Sequence, residues 1–149
     1  MKATGIIRRV DDLGRVVIPK EIRRTLKIRE GDPLEIFLED NDYVCFKKYS
    51  ALGSLSEETL RVAQTMALRA FNHQIAIYDR DNKISGPKSY SSYTDESWES
   101  NRTPFKYKGL GVCPIISDGE LYGYICCLES DMGCEMDMIV RYLSIVVGD

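Results

Sequence analysis

The first third of the chain is a series of short apolar runs bounded by turn residues, broken once by a short helical stretch. Gly5–Val10 and Arg15–Ile18 read as short strands, joined by the turn residues Asp11-Asp12-Leu13-Gly14. Pro19 closes the second of them, because a residue before proline is pushed toward extended backbone, while proline itself suits the first position of a helix. A helix over about 19–27 follows. Ile22 and Leu26 lie four apart on one of its faces, and Lys20, Arg23, Arg24 and Lys27 follow helical spacing on the other. One side can bury and the other can meet phosphate. After the turn Glu30-Gly31-Asp32-Pro33, the residues Leu34, Ile36 and Leu38 alternate with Glu35, Phe37 and Glu39 as in a half-buried strand. Asp40-Asn41-Asp42 then turns the chain into a strand over Tyr43–Lys48.

The pattern restarts after Ser50-Ala51-Leu52-Gly53, so we place one domain at 1–50 and a second at 54–149. Ser54 and Glu57 form the spacing of a capping box, opening a helix to about Phe71 with Leu60, Ala63, Ala67, Ala70 and Phe71 facing inward. Ile75–Tyr78 reads as a strand, Asp79–Asn82 as a tight turn, and Lys83–Ser85 as a weaker strand. Residues 86–106 are polar and serine-rich, interleaved with Tyr90, Tyr93, Trp98 and Phe105, and read as a long loop. Asp118-Gly119 between Val112–Ile116 and Leu121–Leu128 is a hairpin signal, with Pro114 placing its strand at an edge or bulge. Met136, Ile139, Val140, Leu143 and Val146 make the apolar stripe of a closing helix. The second domain thus reads as α-β-β-loop-β-β-α, an α+β fold whose two helices cover one face of an antiparallel sheet.

Charge divides the chain the same way. Residues 1–29 hold nine Lys or Arg against three acids, whereas the whole chain carries a formal net charge of -3. Such asymmetry points to a polyanionic partner for one part only. A membrane surface fits poorly, since the basic residues alternate with β-branched apolar ones instead of lining a long amphipathic helix. No apolar run approaches the roughly 20 residues that span a bilayer, and we expect a cytoplasmic protein without a membrane partner. Five cysteines without pairing rhythm suit a reducing compartment. Cys126 and Cys127 should point to opposite faces of a strand, whereas Cys113 and Cys126 can come near across the hairpin. No phosphate loop, catalytic triad spacing or metal cluster is present, so neither catalytic nor metal-binding residues nor a cofactor are expected. His73, following a helix, reads as a surface residue. A unit of about 50 residues without disulfide or metal seldom stands alone, so the first domain should dimerise.

The run from Lys2 to Leu26, continued by Gly31-Asp32-Pro33-Leu34-Glu35-Ile36 and Lys47-Lys48-Tyr49, resembles the DNA-binding domain of AbrB-family transition-state regulators. The resemblance implies a mainly-β swapped-hairpin barrel built by two exchanging chains, binding double-stranded DNA through Arg8, Arg9, Arg15, Arg23 and Arg24. Lys2, Lys20 and Lys27 are divided between DNA contact and plain solubility. The competing structural reading pairs the arginines with Asp11, Asp12 and Glu21 on a solvated face. Ile75–Asp81 and Gly111–Gly119 resemble the GAF-like domain of family members that regulate sporulation, shortened between those motifs. That implies either a sensor of a small-molecule effector or a purely oligomerising domain, joining dimers into a homotetramer through 54–149. Two alternatives stay open: an antitoxin of the kind that shares the swapped hairpin but binds its toxin through an extended tail, where this chain has a patterned, foldable domain, and a thiol redox-sensing regulator using Cys113, Cys126, Cys127 or Cys134.

Overall fold

The structure, a computed structural model, describes residues 2–148. They form two compact units that divide between Tyr49 and Ser50.

In the first unit, α1 spans Lys20–Thr25, β1 Leu34–Glu39 and β2 Tyr43–Lys48. The strands pair as an antiparallel hairpin, with Leu34 opposite Lys48 and Glu39 opposite Tyr43. Asp40 and Asn41 both take positive φ at its tip, a conformation that short polar side chains tolerate. Pro19 caps α1 instead of starting it, and left-handed Lys27 follows its end, so the helix is shorter than the spacing suggests.

Neither Gly5–Val10 nor Arg15–Ile18 is a strand of this chain. Only the turn between them closes: the Asp11 amide donates to the Arg15 carbonyl at 3.0 Å, and the Gly14 amide to the Asp11 carbonyl at 3.1 Å. A strand needs a neighbour to take its N–H and C=O groups. No described segment pairs with either stretch. The half-buried alternation expected of β1 also fails, because Ile36, Phe37 and Leu38 are all exposed. Ile7 is 86% exposed and Val17 70%, and Pro19 alone among residues 2–49 is buried. The unit has the apolar side chains of a core and no core.

The second unit contains α2 (Glu57–Phe71), β3 (Ala76–Asp79), β4 (Lys83–Ser85), β5 (Phe105–Tyr107), β6 (Leu110–Ser117), β7 (Glu120–Leu128) and α3 (Cys134–Gly148). Its sheet is antiparallel in the order β4-β3-β7-β6-β5. Ser56, rather than Ser54, caps α2, its hydroxyl accepting from the Thr59 amide, and left-handed Asn72 ends the helix. Asp118 and Gly119 both take positive φ, the geometry of a two-residue turn whose twist matches its strands. β5 pairs only with Leu110–Val112, so Pro114 falls where β6 has no outer neighbour to miss its absent N–H.

Both sheet faces are covered. On one, Ala63 and Ala67 of α2 and Met136, Ile139 and Leu143 of α3 pack against Ile75, Ile77, Ile115 and Ile125; Ala70 lies outside this contact, exposed. Gln64 interrupts the apolar face of α2 with a purpose: its Nε2 donates to the Ile75 carbonyl at 2.7 Å, and its Oε1 accepts the Ile75 amide at 3.0 Å. This pair of hydrogen bonds satisfies the backbone of Ile75 where the chain enters β3.

The other face is closed by residues 86–104, which carry a 3-10 turn at Glu96–Ser100 and lead into β5, a strand that the polarity of the stretch conceals. Trp98, 3% exposed, sits edge-on to Tyr78, Tyr107 and Tyr124 at 5.3 to 5.5 Å between ring centres. Asp95 anchors the turn: its carboxylate accepts from the Tyr107 hydroxyl at 2.6 Å and from the amide and hydroxyl of Ser97. These bonds, Tyr107's foremost, lower its pKa to about 2. Lys83 Nζ donates to the carbonyls of Pro87 and Tyr90, tying down the start of the segment.

Truncating Trp98 to alanine should lower the stability of the second unit by about 3–5 kcal/mol, the usual cost of removing a buried aromatic side chain. Guanidinium unfolding followed by circular dichroism measures it, and a loss below about 1 kcal/mol would show that the aromatic cluster does not hold this face.

Candidate nucleic-acid interface

Arg8, Arg9, Arg15, Arg23 and Arg24 are all exposed, as are Lys2, Lys20 and Lys27. α1 sets Lys20, Arg23, Arg24 and the following Lys27 at positions three and four apart, which puts neighbouring side chains on a shared surface. Arg23 also reaches back out of the helix: its Nε donates to the Ile18 carbonyl at 3.1 Å, joining α1 to the segment that carries Arg15. Arg8 Nη1 donates to the Ile7 carbonyl at 3.2 Å. Among the described residues, no carboxylate lies within ion-pair distance of Arg8, Arg9, Arg23 or Arg24. A face of unpaired guanidiniums is suited to phosphate, which each can bind through two parallel N–H donors.

Two carboxylates hold basic residues of this unit. Asp11 accepts from the amides of Leu13 and Arg15 through Oδ1, at 2.9 and 2.8 Å, and from Arg15 Nε through Oδ2 at 2.8 Å. The bonds to Arg15 hold its pKa below the ordinary carboxylate value. Asp32, its side chain only 5% exposed, accepts the Arg29 amide at 2.8 Å and lies within 4 Å of Arg29 Nη1 and Lys48 Nζ. Lys48 Nζ in turn donates to the Lys27 carbonyl at 2.7 Å. Arg29 and Lys48 therefore serve the fold, tying the end of α1 to β2. Charge counting cannot separate them from the arginines of the open face; only the turn context of Asp32 before Pro33 hints at it.

The second unit offers less chemistry. The pleat places Cys126 on the Trp98 face and Cys113 and Cys127 on the helix face, so the expected approach of Cys113 to Cys126 does not occur. Register sets Cys113 opposite Ile125, which makes Cys127 its diagonal neighbour, and the two thiols share a hydrogen bond. That bond and burial push the Cys127 thiol up, and burial raises Cys126 to about 12, so both stay protonated and poorly nucleophilic. His73 Nδ1 lies 3.2 Å from Asp131 at the open end of α2. Among the described residues no helix is long and apolar enough to cross a membrane, and no group of three His, Cys, Asp or Glu is placed to hold a metal.

Residues 7–44 match the family model described as antidote-toxin recognition MazE, bacterial antitoxin. Stage V sporulation protein T of Bacillus subtilis (strain 168) is 57% identical over 85 residues, which cover 57% of this chain and 47% of that protein. The transition state regulatory protein AbrB of the same organism is 49% identical over 69 residues, 42% of this chain and 71% of AbrB. The chain belongs to the AbrB family. The match to stage V sporulation protein T, though it spans only about half of that relative, is longer than the first unit and so includes part of the second. The solution structure of the N-domain of the transcription factor AbrB is 60% identical across 34% of this chain and 94% of its own, with a TM-score of 0.31; membership in the family rests on the match to the AbrB protein, 71% of which is covered at 49% identity.

Asp32→Ala should destabilise the first unit by about 1–3 kcal/mol, because it strips a buried acceptor from the Arg29 amide and uncouples Lys48. Scanning calorimetry reads the loss; an unchanged transition would mean that the buried carboxylate ties nothing together.

Proposed function

We propose that the protein is a DNA-binding transcriptional regulator of sporulation or transition-state genes. The observation that carries this reading is the first unit itself: a strongly basic, exposed guanidinium face on a segment that buries almost none of its apolar side chains. In this reading two chains exchange their hairpins through residues 1–50, and the second copy pairs with Gly5–Val10 and Arg15–Ile18. Arg8, Arg9, Arg15, Arg23 and Arg24 meet double-stranded DNA, with Lys2, Lys20 and Lys27 adding charge at its border. The relatives lend support, since a solved AbrB fragment 60% identical to this chain is described as an N-terminal DNA recognition domain.

Residues 54–149 act in this reading as a shortened GAF-like domain that joins dimers into tetramers. Met138 and Ile145, seven residues apart and exposed on α3, supply apolar surface for that contact. Sensing of a small molecule is the weaker role, because Trp98 and its neighbours already fill the sheet face opposite the helices. The family model named for antitoxins favours a second reading, in which the protein binds a toxin. A folded unit standing in place of an extended tail disfavours it, and co-purification with a small toxin partner would revive it.

Arg15→Ala and Arg23→Ala should each weaken duplex DNA binding about 3- to 30-fold at fixed salt, and lower the slope of log affinity against log salt by about one. Fluorescence anisotropy reads both quantities, with light scattering confirming an unchanged assembly. Undiminished affinity in both variants would defeat the assignment of the face. Light scattering of the unaltered protein should give a tetramer; a dimer at micromolar concentration would contradict the role of the second unit.

A further inference from the structure

Among the described residues, Arg15 is the one member of the basic face that a carboxylate holds. Asp11 makes three bonds within the turn, two to backbone amides and one to Arg15 Nε. Two main-chain bonds close the same turn, and Gly14 supplies its positive φ. The Nε edge of Arg15 is thereby occupied, while the side chain remains 70% exposed and its two Nη groups have no partner among the described residues. An arginine on a flexible stem can approach an anion by its side edge or its end. Here only the end is offered.

We propose that Asp11 is a positioning residue for DNA discrimination: it fixes Arg15 end-on, so that the pair of Nη groups addresses one site on the duplex in one orientation. The proposal rests on the reading of Arg15 as a DNA contact. A carboxylate on a phosphate-binding face opposes binding by its charge, which weakens association with any duplex. Fixing the guanidinium has the opposite effect at a fitting site, because less side-chain freedom remains to be lost on binding. Asp11 therefore lowers affinity for DNA in general and spares it for duplexes that match the fixed geometry. The sign of this effect separates it from simple charge and from simple support of the loop. Removing plain negative charge would strengthen binding to every duplex alike; loss of the loop would weaken it to every duplex alike.

Asp11→Asn isolates the contact. Asparagine keeps an oxygen for the Leu13 and Arg15 amides and offers an N–H where Arg15 Nε needs an acceptor. Two probes are used with full-length protein: a duplex recovered from a random-sequence pool by the unaltered protein, and poly(dI-dC). Asp11→Asn is expected to weaken binding to the selected duplex about 3- to 10-fold, the cost of re-ordering one arginine, while binding to poly(dI-dC) holds or strengthens. In an Arg15→Ala background the same substitution should no longer change the ratio of the two affinities. An unchanged ratio in Asp11→Asn alone, or a fall that persists without Arg15, would overturn the proposal. Arg15→Lys, which keeps the charge but lacks the fork, should lose the ratio too, and its retention would overturn the proposal even if Asp11→Asn failed to fold. If Arg15→Ala weakens neither duplex, the fault lies in the DNA-contact assignment beneath it.

Discussion

Everything in the first unit follows from apolar side chains that one chain cannot bury. Ile6, Ile7, Val10, Val16, Val17, Leu26, Ile36 and Leu38 are exposed around a two-stranded hairpin and a six-residue helix. A lone hairpin is marginal in water, and so short a helix does not form by propensity alone. The local geometry is nevertheless well organised: Asp11 closes one turn, Asp32 fastens α1 to β2, and Arg23 ties α1 to the preceding segment. Those polar ties fix the shape of each piece without supplying the apolar burial that stabilises a fold. The proposed second copy resolves the conflict, giving the two unpaired stretches a ladder and the exposed side chains an interior.

The second unit meets the same constraint within itself. Its sheet is apolar on both faces, and the chain supplies a different cover for each. Two helices form one layer. A polar-looking segment forms the other, drawn in by a single tryptophan and held by the bonds of Asp95 and Lys83. Both sheet faces being covered, the apolar surface for the proposed tetramer lies on the helices, where Met138 and Ile145 of α3 and Val62 and Leu68 of α2 are exposed.

The elements legible in the sequence are those whose signal is local. The β1-β2 hairpin, the Asp118-Gly119 turn, the break at Pro19 and the stripe of α3 each rest on residues close together in the chain, and all stand in the structure. What escaped depends on distant partners. Trp98 in a serine-rich stretch gives no sign that three tyrosines from separate strands surround it. Gln64 looks like a defect in an apolar face until Ile75 is placed beside it. The two cysteines that meet are set by strand register, which shifts which residues share a face. Charge counting found the basic surface, yet it could not tell Arg29, held by Asp32, from Arg24, which is open. The first two strands fail for another reason: short β-branched runs bounded by turn residues record that a segment suits a ladder, not which chain provides the neighbour.

Amide hydrogen exchange of the full-length protein, followed by mass spectrometry at micromolar concentration, tests most directly whether a second copy completes the first unit. The account predicts protection across residues 5–10 and 16–18, comparable to that of β1 and β2 and declining together with it on dilution below the dissociation constant of the dimer. Exchange of those two stretches at the rate of an unstructured chain, while β1 and β2 remain protected, would contradict it.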